Sequence, residues 1–263
     1  MSETFISGIN SQIGSSFAFD LLNQKQLKVL GTYREKNALT EKLEIAGARL
    51  YQCDFNDKHA MAELSKKVDF TQISCVCLFH GTMNPIGEFI DNDMTEWTDS
   101  FQVNFLSITS IIHTLLSKVE TGCRFITLAG GGVNGSPKAY SAYTIAKIAL
   151  IKLNELLAEE NPQHLFFNVG PGWVDSPIHK QTLAAFDSAS AAYQETIRRY
   201  QDDDFVPIEK VIDVLNFFSF DAGIEFSGRN YSVANDDLHD DNLINKLKSC
   251  QNTYKLRRFN NEG

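Results

Sequence analysis

The sequence predicts an α/β protein built on a doubly wound parallel sheet of about seven strands, with helices on both faces. Three observations predict it. Short apolar runs alternate with longer segments of helical periodicity along most of the 263 residues. The run Ile73 to Phe79 is almost uninterruptedly apolar, as a strand covered on both faces should be. A glycine-bearing turn, Ser7-Gly8-Ile9-Asn10-Ser11-Gln12-Ile13-Gly14, follows the first apolar strand and leads into the first helix.

In order, Thr4 to Ser7 reads as a buried strand and Ile13 to Leu22 as an apolar-periodic helix. Leu27 to Tyr33 is the second strand, and Ala38 to Ala46 a helix closed by Gly47. Arg49 to Cys53 gives the third strand, His59 to Val68 a helix, and Ile73 to Phe79 the fourth strand. One long helix is expected from about Met94 to Val119, then the strand Cys123 to Leu128. The helix around Tyr143 runs to about Glu159 and stops before Pro162; His164 to Val169 is the next strand. Ala184 to Tyr200 reads as an exposed helix within an insertion, a helix opens at Pro207 and runs to about Phe220, and Asn230 to Ala234 is a last short strand. Regular alternation of this kind implies right-handed crossovers and a single domain over 1–263, with a substrate lid inserted at about 177–205.

A hydrophobic fraction of 43% and a charged fraction of 22% are those of an ordinary globular protein. No apolar run reaches the roughly eighteen residues that span a bilayer, so no membrane association is expected. The start, Met1-Ser2-Glu3-Thr4, lacks the basic stretch and apolar run of a signal peptide, and a cytoplasmic location is expected. The net charge of −9 argues against a nucleic-acid partner. Lys255-Leu256-Arg257-Arg258 is read as a solvated or paired cluster, and Gln201 to Asp204 and Asp236 to Asp241 as solvated acidic surface. Five irregularly placed cysteines make no disulfide framework, and Cys75 and Cys77 should pack on one face of their strand. No zinc spacing or HExxH occurs, so no metal site is expected.

The chemistry points to Tyr143 and Lys147, four residues apart on one helix and therefore on one face. An ammonium beside a phenol favours the phenolate, and Lys147 is expected to lower the Tyr143 pKa toward a range useful for proton transfer. The strand-turn-helix opening is where a nucleotide pyrophosphate would sit, on the amides of a helix N-terminus. Proton donor and dinucleotide site together suggest hydride transfer to or from a carbonyl carbon.

From about Thr4 to Val233 the chain resembles the short-chain dehydrogenase/reductase family, a Rossmann-type fold of ordinary single-domain length. The turn is similar to that family's TGxxxGxG, with Ser7 for Thr, Gly8 and Gly14 kept, and Gln12 for the middle Gly. The resemblance implies cofactor contacts from Gly8, Asn10, Ser11, Gln12, Ile13 and Gly14. Cys53-Asp54-Phe55 resembles the acidic position after strand three, implying Asp54 and Phe55 near an adenine. Leu78-Phe79-His80-Gly81 stands where the family has NNAG, so contact through His80 and Gly81 would be backbone and shape. Asn104 is similar to the helix-four asparagine that holds a water in the family's proton relay, and its rival reading is a helix-interior Asn bonded to backbone. Pro171-Gly172-Trp173-Val174-Asp175-Ser176 resembles PGxxxT, implying nicotinamide contacts from Pro171, Gly172, Val174 and Ser176. No acid sits at Thr32 or Tyr33, while Arg34 can fork onto a 2′-phosphate, which favours NADP(H) over NAD(H). Lys147 would also bind the nicotinamide ribose.

One family feature is missing. The serine expected thirteen residues before the tyrosine falls at Gly130, within Leu128-Ala129-Gly130-Gly131-Gly132. Loss of that donor typically costs on the order of 10²–10³ in rate. Three readings stand: a water or substrate hydroxyl fills the gap; Ser136 or Ser141 reaches in; or the chain is a catalytically degenerate NADP(H)-binding sensor or scaffold. The favoured reading is an NADP(H)-dependent oxidoreductase with Tyr143, Lys147 and Asn104 as catalytic residues and a small-molecule substrate. His179, Lys180, Gln181, Arg198 and Arg199 in the lid suit a phosphorylated or nucleotide-linked sugar, with an apolar ketone or fatty-acyl intermediate as the rival. The family resemblance implies a homodimer or homotetramer.

Overall fold

A computed structural model describes residues 3–57, 59–130, 132, 135–189 and 191–258. Seven strands, β1 (Glu3–Ser7), β2 (Lys28–Tyr33), β3 (Arg49–Gln52), β4 (Ile73–Leu78), β5 (Arg124–Leu128), β6 (Leu165–Gly170) and β7 (Arg229–Ser232), form one sheet in the order β3-β2-β1-β4-β5-β6-β7. Every pairing is parallel. The strand order reverses between β1 and β4, and the crevice at the C-terminal ends of those strands is where such sheets receive ligands.

Successive side chains of a strand point to opposite faces, so each β-strand feeds two cores. On one face Ile6, Cys77 and Phe167 pack with Phe17 of α1 (Gln12–Phe19). On the other, Phe5, Val76, Phe125 and Phe166 pack with Leu64 of α3 (Ala60–Lys67), Ile111 of α5 (Ser107–Leu116) and Leu150 of α6 (Ser141–Glu160). Leu43 of α2 (Ala38–Ile45) packs in the first core, and α4 (Met94–Phe101) lies against α6. Phe125 and Phe166 stack at 5.0 Å and are fully buried. Each such burial is worth about 1.5–3 kcal/mol. Cys75 and Cys77 pack on one strand face, their sulfurs 3.7 Å apart.

The predicted helix from Met94 to Val119 is interrupted. A π-helical turn, Gln102–Leu106, separates α4 from α5 and contains Asn104. Similar turns, Asp20–Gln24 and Phe217–Asp221, follow α1 and α10 (Ile208–Asn216). Among the described residues the insertion holds three helices rather than one: α7 (Ile178–Ala184), α8 (Phe186–Ala189) and α9 (Ala191–Asp202). Side-chain contacts made by Gln181 and Thr182 hold α7 against the body of the protein, a tertiary effect that periodicity does not carry. A further helix, α11 (Asp241–Ser249), lies next to the segment read as acidic surface. Asp240 accepts from Asn242 N at 2.9 Å as its cap, and Leu247 is buried.

The end of the described chain is tied down. Arg229 of β7 is buried and donates to the carbonyls of Glu225, Leu247, Cys250 and Thr253. Lys255 pairs with Glu159 at 3.4 Å and Arg257 with Glu155 at 2.6 Å, which places two of the basic tail residues in ion pairs. Among the described residues no helix is long and apolar enough to cross a membrane.

Candidate active site

A cleft of about 1140 Å³ opens over the C-terminal ends of the strands. At its centre the chain leaves β1 through Gly8, whose φ of +65° favours glycine. A Cβ there would also come within 2.9 Å of the His80 backbone nitrogen. Ser11 caps α1 by accepting from Gly14 N at 3.1 Å. Gln12 and Ile13 begin the helix and line the cleft, so the positive end of α1 faces it. Asn10 braces the turn, donating to Glu35 O at 2.8 Å. A diphosphate fits this cradle: free first-turn amides with a glycine beside them.

His80 is a clamp rather than a spacer. Its Nδ1 lies 2.6 Å from Ser7 Oγ and its Nε2 lies 2.8 Å from Ser107 Oγ. Ser107 Oγ donates to Val103 O at 2.7 Å, so it accepts from His80, which fixes the proton on Nε2. Ser7 Oγ in turn donates to Nδ1 while accepting from Phe79 N at 3.2 Å. Burial, assisted by the Lys147 charge, pushes the imidazole pKa down to about 3. The neutral ring stacks on Phe55 at 4.4 Å, and Phe55 lines the cleft beside Asp54. Sequence reasoning missed this clamp, because its serine partners lie 73 and 27 residues away in the chain.

At one end of the cleft stands Arg34, with a half-solvated guanidinium 3.5 Å from Glu35. That exposed pair contributes little and leaves the arginine free to turn. Further along the floor come Tyr143 and Lys147, on the same face of α6 as their spacing predicts, with Lys147 Nζ 5.7 Å from the phenol ring centroid. Their proton affinities differ from expectation. Burial pushes the Tyr143 phenol up to about 12 and the Lys147 ammonium down to about 8. Desolvation, which disfavours both charged forms, outweighs their mutual help.

Asn104 and Gly14 do not line the cleft; they support its wall. Asn104 is fully buried, and its Nδ2 donates to Thr82 O and Ser100 O while its Oδ1 accepts from Thr82 N. The π-helical turn aims this side chain across at the loop after β4. These bonds are those of the backbone-bonded reading. A Cβ on Gly81 would lie 2.7 Å from Asn104 Oδ1 and 3.7 Å from Lys147 Nζ, so both polar atoms lie beside a residue with no side chain.

Gly130 leaves no gap. The ring of Tyr143 lies against its Cα. Ser136 lines the cleft, but Ser141 does not reach in: its Oγ accepts from Trp97 Nε1 at 3.0 Å, and it makes no cap for α6. Gly131 lies outside the described residues.

Pro171, Gly172, Val174 and Ser176 line the opposite wall. Trp173 stacks on His179 at 4.2 Å, and burial lowers that imidazole's pKa below its ordinary value. Two clasps hold α7: Gln181 Oε1 accepts from Met83 N at 2.7 Å, and Tyr140 Oη bonds Thr182 Oγ1 at 2.7 Å. The two arginines of the insertion expected to meet substrate are otherwise engaged. Arg198 pairs with Glu195, Asp202 and Asp204 at 2.8–3.0 Å, and Arg199 with Glu195 and Asp204. Asp202 and Asp204 are thus ion-pair partners rather than merely solvated. Among the described residues no group of three or more His, Cys, Asp or Glu is placed to hold a metal ion.

A nucleotide-sized cleft at the switch point of a parallel sheet, floored by a tyrosine and a lysine one helical turn apart, defines a dinucleotide-dependent oxidoreductase architecture. A family model described as enoyl-(acyl carrier protein) reductase matches residues 8–233, and the chain belongs to the short-chain dehydrogenase/reductase family. An uncharacterised oxidoreductase of Schizosaccharomyces pombe, C30D10.05c, is 28% identical over 181 residues, covering 66% of this chain and 71% of that protein. The crystal structure of the Saccharomyces cerevisiae short-chain dehydrogenase/reductase YIR035C superposes with a TM-score of 0.78 at 19% identity, covering 93% of this chain and 99% of that one. A Burkholderia cenocepacia protein crystallised with bound NADP gives 0.74 at 21% identity, covering 88% and 91%.

Proposed function

We propose that the protein is an NADP(H)-dependent reductase or dehydrogenase interconverting a carbonyl and a secondary alcohol. The observation that carries this reading is the placement of Tyr143 and Lys147 on the floor of the cleft that begins at the α1 turn. The bound dinucleotide would supply or accept hydride. Gly8, Ser11, Gln12 and Ile13 would cradle its diphosphate, Asp54 and Phe55 its adenine, and Arg34 a 2′-phosphate. Pro171, Gly172, Val174 and Ser176 would border the nicotinamide. Neighbours of this fold bound to NADP or NADPH support the cofactor class.

In reduction Tyr143 Oη gives its proton to the substrate oxygen as that oxygen gains negative charge; in oxidation it takes the proton back. Lys147 holds positive charge beside the phenol as it ionises, lowering the energy of the phenolate. Asn104 Oδ1 and Lys147 Nζ, which both lie beside Gly81, would share a water that returns the proton. A polar but uncharged substrate fits better than a phosphorylated one. The lid guanidinium groups are neutralised by Glu195, Asp202 and Asp204, and Glu195 itself lines the cleft, its pKa held down at about 2 by Arg198. Self-association is supported by apolar side chains left exposed near α4 and α6, among them Ile90, Met94, Leu106 and Ile145.

The test is Tyr143→Phe with a panel of ketosugars and simple ketones. Turnover should fall by about 10²–10⁴-fold, the usual value of a positioned acid. The dissociation constant for NADPH should stay within a factor of two or so of wild type, since the lost hydroxyl is assigned to substrate. Comparable turnover in the mutant sinks the assignment.

A further inference from the structure

At the position of the missing serine, the packing around Gly130 carries a specific consequence. β5 ends at Leu128, and Gly130 follows two residues later, lining the cleft. A Cβ built on Gly130 would meet Tyr143 Cε1 at 2.6 Å, Oη at 2.7 Å and Cζ at 2.8 Å. The edge of the phenol carrying its hydroxyl therefore occupies the volume that any side chain at 130 requires. Gly132 shows the same fit one step on: a Cβ there would meet Pro137 Cγ at 2.7 Å and Thr144 Cγ2 at 3.2 Å. Two positions of this exit loop thus lie flush against Tyr143 and Thr144 in the first turn of α6.

We propose that Gly130 is a positioning residue for Tyr143: its lack of a side chain seats the phenol against the end of β5, so serine at 130 displaces the proton donor instead of restoring a second one. This rests on the proposed role of Tyr143 as proton donor. The substitution for serine and the seat of the phenol are one feature, because neither can change without the other. Tyr143 Oη has no protein hydrogen-bond partner among the described residues, so packing against Gly130, not a hydrogen bond, sets where it points. Lys147 sits one turn further along α6 and is nearly fully buried, so it does not follow a ring that swings outward. Displacement would then part the phenol from the ammonium as well as from the substrate oxygen.

The test compares Gly130→Ala and Gly130→Ser with wild type, reading kcat, KM for carbonyl substrate, NADPH dissociation constant and melting temperature, with a crystal structure of one variant. Misplacing a reacting group by about 1 Å costs on the order of 10² in rate, so kcat should fall about that far in both variants. NADPH affinity and melting temperature should stay near wild type, and the Tyr143 ring should be found rotated away from position 130. Alanine and serine should fall alike, because the Cβ they share makes the clash. A Gly130→Ser enzyme faster than wild type while Gly130→Ala is not would show that a donor is missing, and would overturn the proposal. Wild-type kcat in both variants would overturn it too. Should wild type bind NADPH but reduce no carbonyl on the panel, the catalytic reading fails on its own. The structure of Gly130→Ala then decides the seating, and an unmoved ring refutes it. Should Gly130→Ser not fold, Gly130→Ala carries the same measurement.

Discussion

Lys147→Met should make the nucleotide-free protein more stable while removing its activity. Lys147 is 4% exposed, and among the described residues no carboxylate pairs with its ammonium. Burial lowers its pKa from 10.5 to about 8. At about 1.4 kcal/mol per tenfold change in proton affinity, holding that charge in the folded state costs about 3 kcal/mol at neutral pH. Methionine has a similar length, no charge and a flexible apolar stem suited to the same slot. For a chain of this size about 1 kcal/mol moves the melting temperature by roughly 2–4 °C, so Lys147→Met should melt roughly 6–12 °C higher at pH 7. The pH dependence gives a second handle. The folded pKa lies below the unfolded one, so the unfolded chain binds more protons between about pH 8 and 10.5. The lysine therefore destabilises fully below pH 8, and wild-type stability gains from it as pH rises to 10.5. Tyr143 runs the other way. Its folded pKa is raised from 10 to about 12, so its contribution is present below pH 10 and lost as pH rises through 12. Calorimetry of both proteins from pH 7 to 10.5 reads the difference directly. A variant less stable than wild type at pH 7, or one keeping the same rise with pH, would refute the reasoning.

Two further perturbations follow from single residues. Arg34→Ala should lower the ratio of kcat/KM for NADPH over NADH by about 10- to 100-fold, the worth of a charged hydrogen bond to phosphate; an unchanged ratio rules out Arg34 as the reader of the 2′-phosphate. Arg229→Met should destabilise the fold by several kcal/mol, at about 1–3 kcal/mol for each buried carbonyl that loses its donor among those of Glu225, Leu247, Cys250 and Thr253. Hydrogen exchange should rise selectively over 241–254, and uniform protection there would show that the C-terminal segment is held by its ion pairs and apolar contacts alone.

Patterns that are local in the chain were legible in the sequence. All seven strands appear where the alternation of elements placed them, and the central ones, such as β4, are apolar along their length because both faces are buried. Tyr143 and Lys147 share a face because helical spacing makes them do so. What escaped was set by contacts between distant segments. The π-helical turn at Asn104 carries no breaker residue, and it exists alongside bonds from Asn104 to a loop 22 residues earlier. The Tyr143 pKa was expected to fall, since the sequence shows the lysine beside it but not how deeply both are buried. Helix α11 had a readable signal, Asp240 followed by Leu243, Ile244 and Leu247 at helical spacing, which the surrounding acids outweighed.

The lid shows how charge can mislead when it is counted without its neighbours. Arg198 and Arg199 read as groups offered to an anionic substrate, yet Glu195 stands four residues before Arg199 and Asp202 four after Arg198, the spacing at which opposite charges on a helix meet. Asp204, just beyond the helix, takes up donors from both. The guanidinium of Arg199 also lies 4.6 Å from the ring centre of Trp173, which stacks on His179. The arginines therefore stiffen α9 and brace the Trp173 wall, and a phosphate entering here would have to break ion pairs already made and approach Glu195. On the proposed reading, discrimination on this side of the cleft would fall to shape and to neutral polar groups, Gln181 and Tyr140, whose bonds also hold α7 down.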